Sequence, residues 1–204
     1  MKKGQECMKA LISGFEPFGK LTVNPSWEAL KLVPDRPGKN ISVRKLLLPV
    51  EYDRAADMLL EAAESYRPDV ILAVGVAANR SAVTPEYVAV NCKDSPMADN
   101  KGKIAIMERI IDEGDSALYT NLPLPDLIDA IQAAGIPAGI SFDAGTYVCN
   151  NVFYRLMYEI RHNMKKTYGG FLHVPGEKAV SVKESAHAIE AMLLRMADKF
   201  ATVK

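Results

Sequence analysis

The stretch Asp53-Arg-Ala-Ala-Asp-Met-Leu-Leu-Glu-Ala-Ala-Glu-Ser-Tyr-Arg-Pro-Asp-Val-Ile-Leu-Ala-Val74 decides the fold. Asp53 to Ser65 carries helical periodicity, and Asp69 to Val74 is the near-continuous apolar run of a strand buried on both faces. The same alternation extends both ways. Upstream, Met8 to Ser13 reads as a buried strand, Ser26 to Leu32 as a short helix and Ile41 to Leu48 as a strand. Downstream, Pro125 to Ala134 reads as a helix stopped by Gly135 and Pro137, and Ala138 to Phe142 as the next strand. Val148 to Asn163 shows an apolar stripe with Thr146 as its N-cap, Gly170 to Val174 is a last buried strand, and Val182 to Phe200 a closing helix. Strands alternating with crossover helices predict an α/β fold: a three-layer α/β/α sandwich on a mostly parallel sheet, as a single domain over residues 1–204.

Residues 91–124 break the rhythm with Pro96, Asp99, Asn100, Gly102, Gly114, Pro123 and Pro125 following. This is an excursion beside the sheet, of the kind that walls a substrate site.

With 204 residues, one domain can hold a substantial core. Lys plus Arg and Asp plus Glu number 25 each, which gives no global attraction to nucleic acid or an anionic membrane. Three cysteines, Cys7, Cys92 and Cys149, form no CxxC pair, so the expectation is a reduced, cytoplasmic protein without a disulfide framework. Lys2, Lys3 and Glu6 precede only a short apolar stretch, too brief for a signal segment or a spanning helix. No Cys or His pair has zinc-ligand spacing, and no metal or cofactor is expected.

Ligands in open α/β sheets bind beyond the carboxyl ends of the strands, which collects the candidate residues. Gly14 to Lys20 approaches a phosphate loop, but Leu21 stands where a hydroxyl is needed, and Glu16 with two phenylalanines would repel phosphate. Phe15 and Phe18, flanking Pro17, could instead present two rings to an uncharged planar ligand; the commoner fate of such rings is core packing. Cys149 lies where an extended run turns into a helix, at about the third helical position. Unpaired N–H groups and the helix dipole there favour a thiolate, against the ordinary alternative of an inert buried cysteine. His173 stands at a strand end before Pro175-Gly176, whereas His162 and His187 fall within helices. Glu86 sits in an apolar context and needs a partner, either His173 or a structural ion pair with a residue such as Arg80. A Cys-His-Glu hydrolase is the hypothesis these residues raise.

Several separate stretches, in order, resemble the pyroglutamyl peptidase I (pyrrolidone-carboxylate peptidase) family of cysteine peptidases. They are Ser13-Gly-Phe-Glu-Pro-Phe-Gly19, Asn24-Pro-Ser-Trp-Glu28, Thr84-Pro-Glu-Tyr-Val-Ala-Val-Asn91, Asp99-Asn100 with Gly102, Ala133-Ala-Gly-Ile-Pro137, Ala144-Gly-Thr-Tyr-Val-Cys-Asn150 and Gly169-Gly-Phe-Leu-His-Val-Pro175. The resemblance implies a Cys149 nucleophile, a His173 base and a Glu86 acid, with the lactam ring held by Phe15, Phe18, Tyr147 and Val148. It also implies the sandwich fold, N-terminally pyroglutamylated peptides as partners, no cofactor, and a homo-oligomer, dimer or tetramer. The chain departs from the family at Ala78-Asn79-Arg80 for Gly-Gly-Arg and at Val76. Pro96 replaces an arginine, and the loop after His173 shrinks to Pro175-Gly-Glu-Lys178. Two alternatives stay open: a Cys-His amide hydrolase of other acyl specificity, such as a glutaminase or deacylase, and a non-catalytic pyroglutamyl-binding homologue.

Overall fold

In the computed structural model, which describes residues 7–19 and 21–202, β1 (Met8–Phe15), β2 (Ile41–Leu48), β3 (Val70–Val76) and β9 (Tyr168–Val174) run parallel in the order β2-β1-β3-β9. A fifth strand, β4 (Thr84–Pro85), joins the free edge of β9 antiparallel. Lys2, Lys3, Glu6 and Lys20, named above for the N-terminus and the phosphate-loop comparison, lie outside the described residues.

The side-chain period of two distributes each strand between two cores. Ala10, Ile12, Leu72, Val74, Leu172 and Val174 face a cluster completed by α1 (Pro25–Leu32), α3 (Leu124–Ala133) and α5 (Val182–Thr202). Leu11, Ile71, Ala73 and Phe171 face the other, completed by α2 (Arg54–Tyr66) and α4 (Val148–His162). The α/β/α sandwich is therefore present. Local chemistry sets the helix ends: Asn24 caps α1, accepting from Ser26 N with Pro25 in the first turn, and α2 stops at Arg67 in a left-handed conformation (φ 51°) before Pro68.

Two expectations are corrected. Ala138 to Phe142 is not a strand: it makes only isolated bridges, Val83 to Ala138 and Glu86 to Ser141. The parallel bonds begin, with Gly139 N donating to Val83 O and Ser141 N to Pro85 O. Pro85, lacking an N–H, cannot return the next bond, and the ladder breaks. Nor is Thr146 the N-cap of α4. Tyr147 occupies that position without a side-chain cap bond, while Thr146 Oγ1 donates to Asp94 O at 2.5 Å. Cys149 is thus the second helical residue.

The excursion is structured. It contributes β8 (Ala117–Tyr119), paired with β5 (Val88–Val90) just before it, and β6 (Lys93–Ser95) paired with β7 (Ala105–Glu108). Asn150 fastens it to α4: Nδ2 donates to Val90 O (2.9 Å) and Cys92 O (3.0 Å), and Val90 N donates to Oδ1 (3.0 Å). Asn150 is fully buried, so truncating it strands those backbone groups without water. Asn150→Ala is expected to lower stability by about 3 kcal/mol in urea unfolding.

Candidate active site

The side chain of Glu86 is fully buried, and its Oε1 lies 2.6 Å from His173 Nδ1 and 2.5 Å from Arg80 Nη1. With the carboxylate as acceptor, Nδ1 carries the imidazole proton and Nε2 is left as a base. Both partners foreseen for Glu86, His173 and Arg80, are therefore engaged by one oxygen. Glu86 reaches this position because its backbone N–H donates to Phe171 O (2.9 Å) while Thr84 pairs with His173.

His173 projects on the same sheet face as Phe171, with ring centroids 4.9 Å apart. Its register partner on β3 is Gly75. A Cβ at Gly75 would lie 2.8 Å from Cys149 Sγ and 2.9 Å from Phe171 Cζ, so the sulfur occupies the space that a side chain would fill beside His173. Nucleophile, base and acid candidates thus gather at the carboxyl ends of β3 and β9, where the sheet rule places a site.

The thiolate expectation is opposed by the surroundings of Cys149. Burial, and next the Glu86 carboxylate, push the Cys149 thiol from its ordinary 9.0 up to about 12; the Arg80 charge and its own backbone N–H draw it down by less. Helix-start donors act here, but desolvation outweighs them. A thiol shifted upward in this way favours its neutral form, and a base beside it, such as His173 Nε2, would be needed for it to act as a nucleophile.

A cavity of about 220 Å³ opens over these residues, lined by Phe15, Phe18, Tyr147 and Val148 together with Cys149 and His173. Phe15 serves both of its foreseen fates: it is 2 % exposed, packs against Phe171 with centroids 6.3 Å apart, and faces the cavity. Asn24, Val50, Val76, Met97 and Ala144 complete the lining and were not singled out as candidates from sequence. Asn24, Ala144 and Met97 sit in or beside quoted motifs, Val50 follows the end of β2 and Val76 ends β3, which is the signal that could have found them. A larger groove, about 950 Å³, lies between the C-terminal ends of α2 and α4 at the opposite edge of the sheet and touches none of the three residues.

The excursion forms one wall, as expected. Tyr147 OH donates to Ala98 O (3.0 Å), and Asn100 Nδ2 donates to Pro17 O (3.0 Å) between the two phenylalanines. Pro96 is exposed; the trimmed loop packs Gly176 onto the Ala78 turn, where an added Cβ would meet Ala78 O at 3.2 Å. Of the other histidines, His162 ends α4, stacked on Tyr158, and His187 is exposed on α5. Cys7 is exposed, Cys92 half-buried, and neither forms a disulfide.

The profile of the family described as pyroglutamyl peptidase matches residues 8–203. The pyrrolidone-carboxylate peptidase of Bacillus velezensis is 38 % identical over 195 residues, covering 96 % of this chain and 91 % of that one. That of Thermosipho melanesiensis is 43 % identical over 168 residues, covering 82 % and 83 %. Among solved structures, pyroglutamyl peptidase I from Bacillus amyloliquefaciens superposes with a TM-score of 0.89 at 35 % identity, covering 94 % of this chain and 95 % of that one. A mutant pyrrolidone carboxyl peptidase from Pyrococcus furiosus gives 0.88 at 29 %, covering 94 % and 99 %.

Two outcomes follow from this geometry. Alkylation of Cys149 by iodoacetamide, followed by mass spectrometry, is expected to be slow at pH 7 and to accelerate through the alkaline range toward pH 12 without a plateau near neutrality. Gly75→Ala is expected to cost about 1–3 kcal/mol of stability by overpacking, read by urea unfolding, and to displace the sulfur enough to cut kcat/KM at least tenfold.

Proposed function

The chain belongs to the pyroglutamyl peptidase family, and from that premise we propose that Cys149, His173 and Glu86 perform the removal of N-terminal pyroglutamate from peptides. The observation that carries the assignment is the Glu86 to His173 hydrogen bond of 2.6 Å on the sheet face where Cys149 Sγ sits over Gly75. His173 Nε2 takes the thiol proton as Sγ attacks the carbonyl that joins 5-oxoproline to the next residue. Glu86, ionised beside Arg80, holds the ring in the required tautomer and stabilises the imidazolium that forms. The backbone N–H of Cys149, in the first turn of α4, donates to the oxyanion. Collapse of the tetrahedral adduct breaks the C–N bond, and His173 gives its proton to the leaving amine. Water, deprotonated by His173, then attacks the thioester, releasing pyroglutamate and returning the proton to sulfur.

Specificity rests on fit. A lactam ring carries no terminal charge, so it suits an apolar cavity of this volume, where among the described residues no Lys, Arg, Asp or Glu contributes to the lining. Phe15, Phe18, Tyr147 and Val148 supply its walls. We place the protein in the cytoplasm, consistent with three free cysteines, and assign it a dimer or tetramer. Tyr87, Tyr119 and Phe142, an exposed mutually packed aromatic group, are available to such an interface. Among the described residues no helix is long and apolar enough to cross a membrane.

Release of a fluorescent amine from a pyroglutamyl amide tests the assignment. Cys149→Ala is expected to abolish turnover and Phe15→Ala to raise KM; normal turnover by the Cys149 variant would sink the reading. Glu86→Gln is expected to lower kcat by about 10²–10⁴-fold through loss of tautomer control.

A further inference from the structure

We propose that Arg80 is a positioning residue for the reaction: its guanidinium holds Glu86 against His173 and ties that pair to the loop that delivers Cys149. This rests on the assignment of Cys149, His173 and Glu86 made above. Nη1 donates to Glu86 Oε1 at 2.5 Å and to Thr84 Oγ1, and Nη2 donates to Asp143 O at 2.6 Å. Thr84 is the strand partner of His173, and Asp143 stands in the connection that leads into α4. The guanidinium thus touches the acid, the strand opposite the base and the segment before the nucleophile, in three directions that only a planar fork can serve at once.

Arg80 is itself mounted on the site. Its N–H donates to Ala77 O (3.0 Å), and Ala77 N donates to Val174 O (2.9 Å), the residue after His173. Glu86 Oε2 is buried and has no hydrogen-bond partner among the described residues, so Oε1 alone carries both contacts. Glu86, Arg80 and Tyr147 couple electrostatically to the Cys149 thiol, and His173 lines the same cavity. Of the charges at work, Glu86 raises the thiol and Arg80 lowers it. Neutralising Arg80 leaves the carboxylate unopposed, and the thiol becomes harder to ionise.

A purely structural ion pair would affect folding and leave the chemistry of the sulfur alone, which separates the two roles. The test compares wild type, Arg80→Gln, Arg80→Lys and Cys149→Ala for kcat and KM on a pyroglutamyl amide. Alongside, the pH profile of iodoacetamide alkylation is read at Cys149 by mass spectrometry. Arg80→Gln is expected to lose roughly tenfold or more in kcat with KM within about twofold, and to move the alkylation profile to higher pH. Arg80→Lys is expected to restore the alkylation profile but only part of kcat, since one ammonium cannot span Glu86 and Asp143. Wild-type kcat in Arg80→Gln, or a lowered kcat with an unmoved alkylation profile, overturns the proposal. Should Arg80→Gln not fold, Arg80→Lys decides it, and full kcat in that variant overturns it. Turnover by Cys149→Ala would sink the underlying assignment instead, whereas an inactive Cys149→Ala beside an unaffected Arg80→Gln sinks this proposal alone.

Discussion

A carboxylate with no exposed surface is the constraint around which this site is arranged. Burying an isolated ionised carboxyl costs far more than a domain's net stability can absorb, so Glu86 requires donors within hydrogen-bond reach. His173 and Arg80 supply them, and each brings a different part of the chain with it. The histidine comes from β9 in the middle of the fold, while the arginine comes from a turn built on the end of that strand and reaches the loop leading to α4. Local ion-pairing and catalytic orientation are therefore the same set of bonds. What keeps Glu86 tolerable in the core also keeps the imidazole in one tautomer.

The second constraint is space. A sulfur beside His173 requires that β3 carry nothing at the paired position, and Gly75 meets that need inside a strand where glycine otherwise weakens packing. The same sulfur is pushed above its ordinary pKa by burial and by the Glu86 carboxylate. A thiol held up in this way would depend on an oriented base such as His173 for any nucleophilic role. That dependence makes the precision of the Glu86 to His173 contact more consequential than the helix dipole at Cys149.

The parts legible in the sequence are those set by periodicity. Strands β1, β3 and β9 bury both faces and read as apolar runs, the edge strand β2 is apolar at both ends around Arg44 and Lys45, and α2, α4 and α5 carry stripes that match the two cores. Cys149, His173 and Glu86 stood out in the sequence because strand ends and a helix start are sequence features, and a resemblance spread over seven stretches gave them roles as expectations. What failed depended on single atoms or on surroundings. A missing N–H at Pro85 turned an apparent strand at 138–142 into bridges. Thr146, a fitting cap by composition, was drawn away by the carbonyl of Asp94. The upward shift of the Cys149 thiol comes from burial and the Glu86 carboxylate, surroundings supplied by segments distant in sequence. Val50 and Met97 reach the cavity from loops and Val76 from the last position of β3, a juxtaposition that no local pattern encodes.

That juxtaposition also bears on Pro96, which stands where the resemblance leads one to expect arginine. The wall it belongs to is not held by the side chain at that position. Asp99 accepts from Tyr52 N, Lys101 N and Lys103 N; Asn100 N donates to Val50 O and its side chain to Pro17 O; Ala98 O receives the Tyr147 hydroxyl. Lys93, with a nearly buried side chain, ties the hairpin to Asp53, whose carboxylate also bonds Asn151 in α4. These contacts run from the excursion to the loops after β1 and β2 and to the nucleophile's helix, and half of each pair is backbone in most of them. Because backbone groups are indifferent to substitution, these contacts do not depend on the side chain at Pro96, which is exposed. The short Pro175 to Lys178 loop follows the same logic on the opposite side, closing by backbone contact of Gly176 on Ala78. Cavity shape and transition-state charge are thus separable in this molecule: the first is fixed by main-chain bonds around the rim, the second by the few side chains that Glu86 holds together.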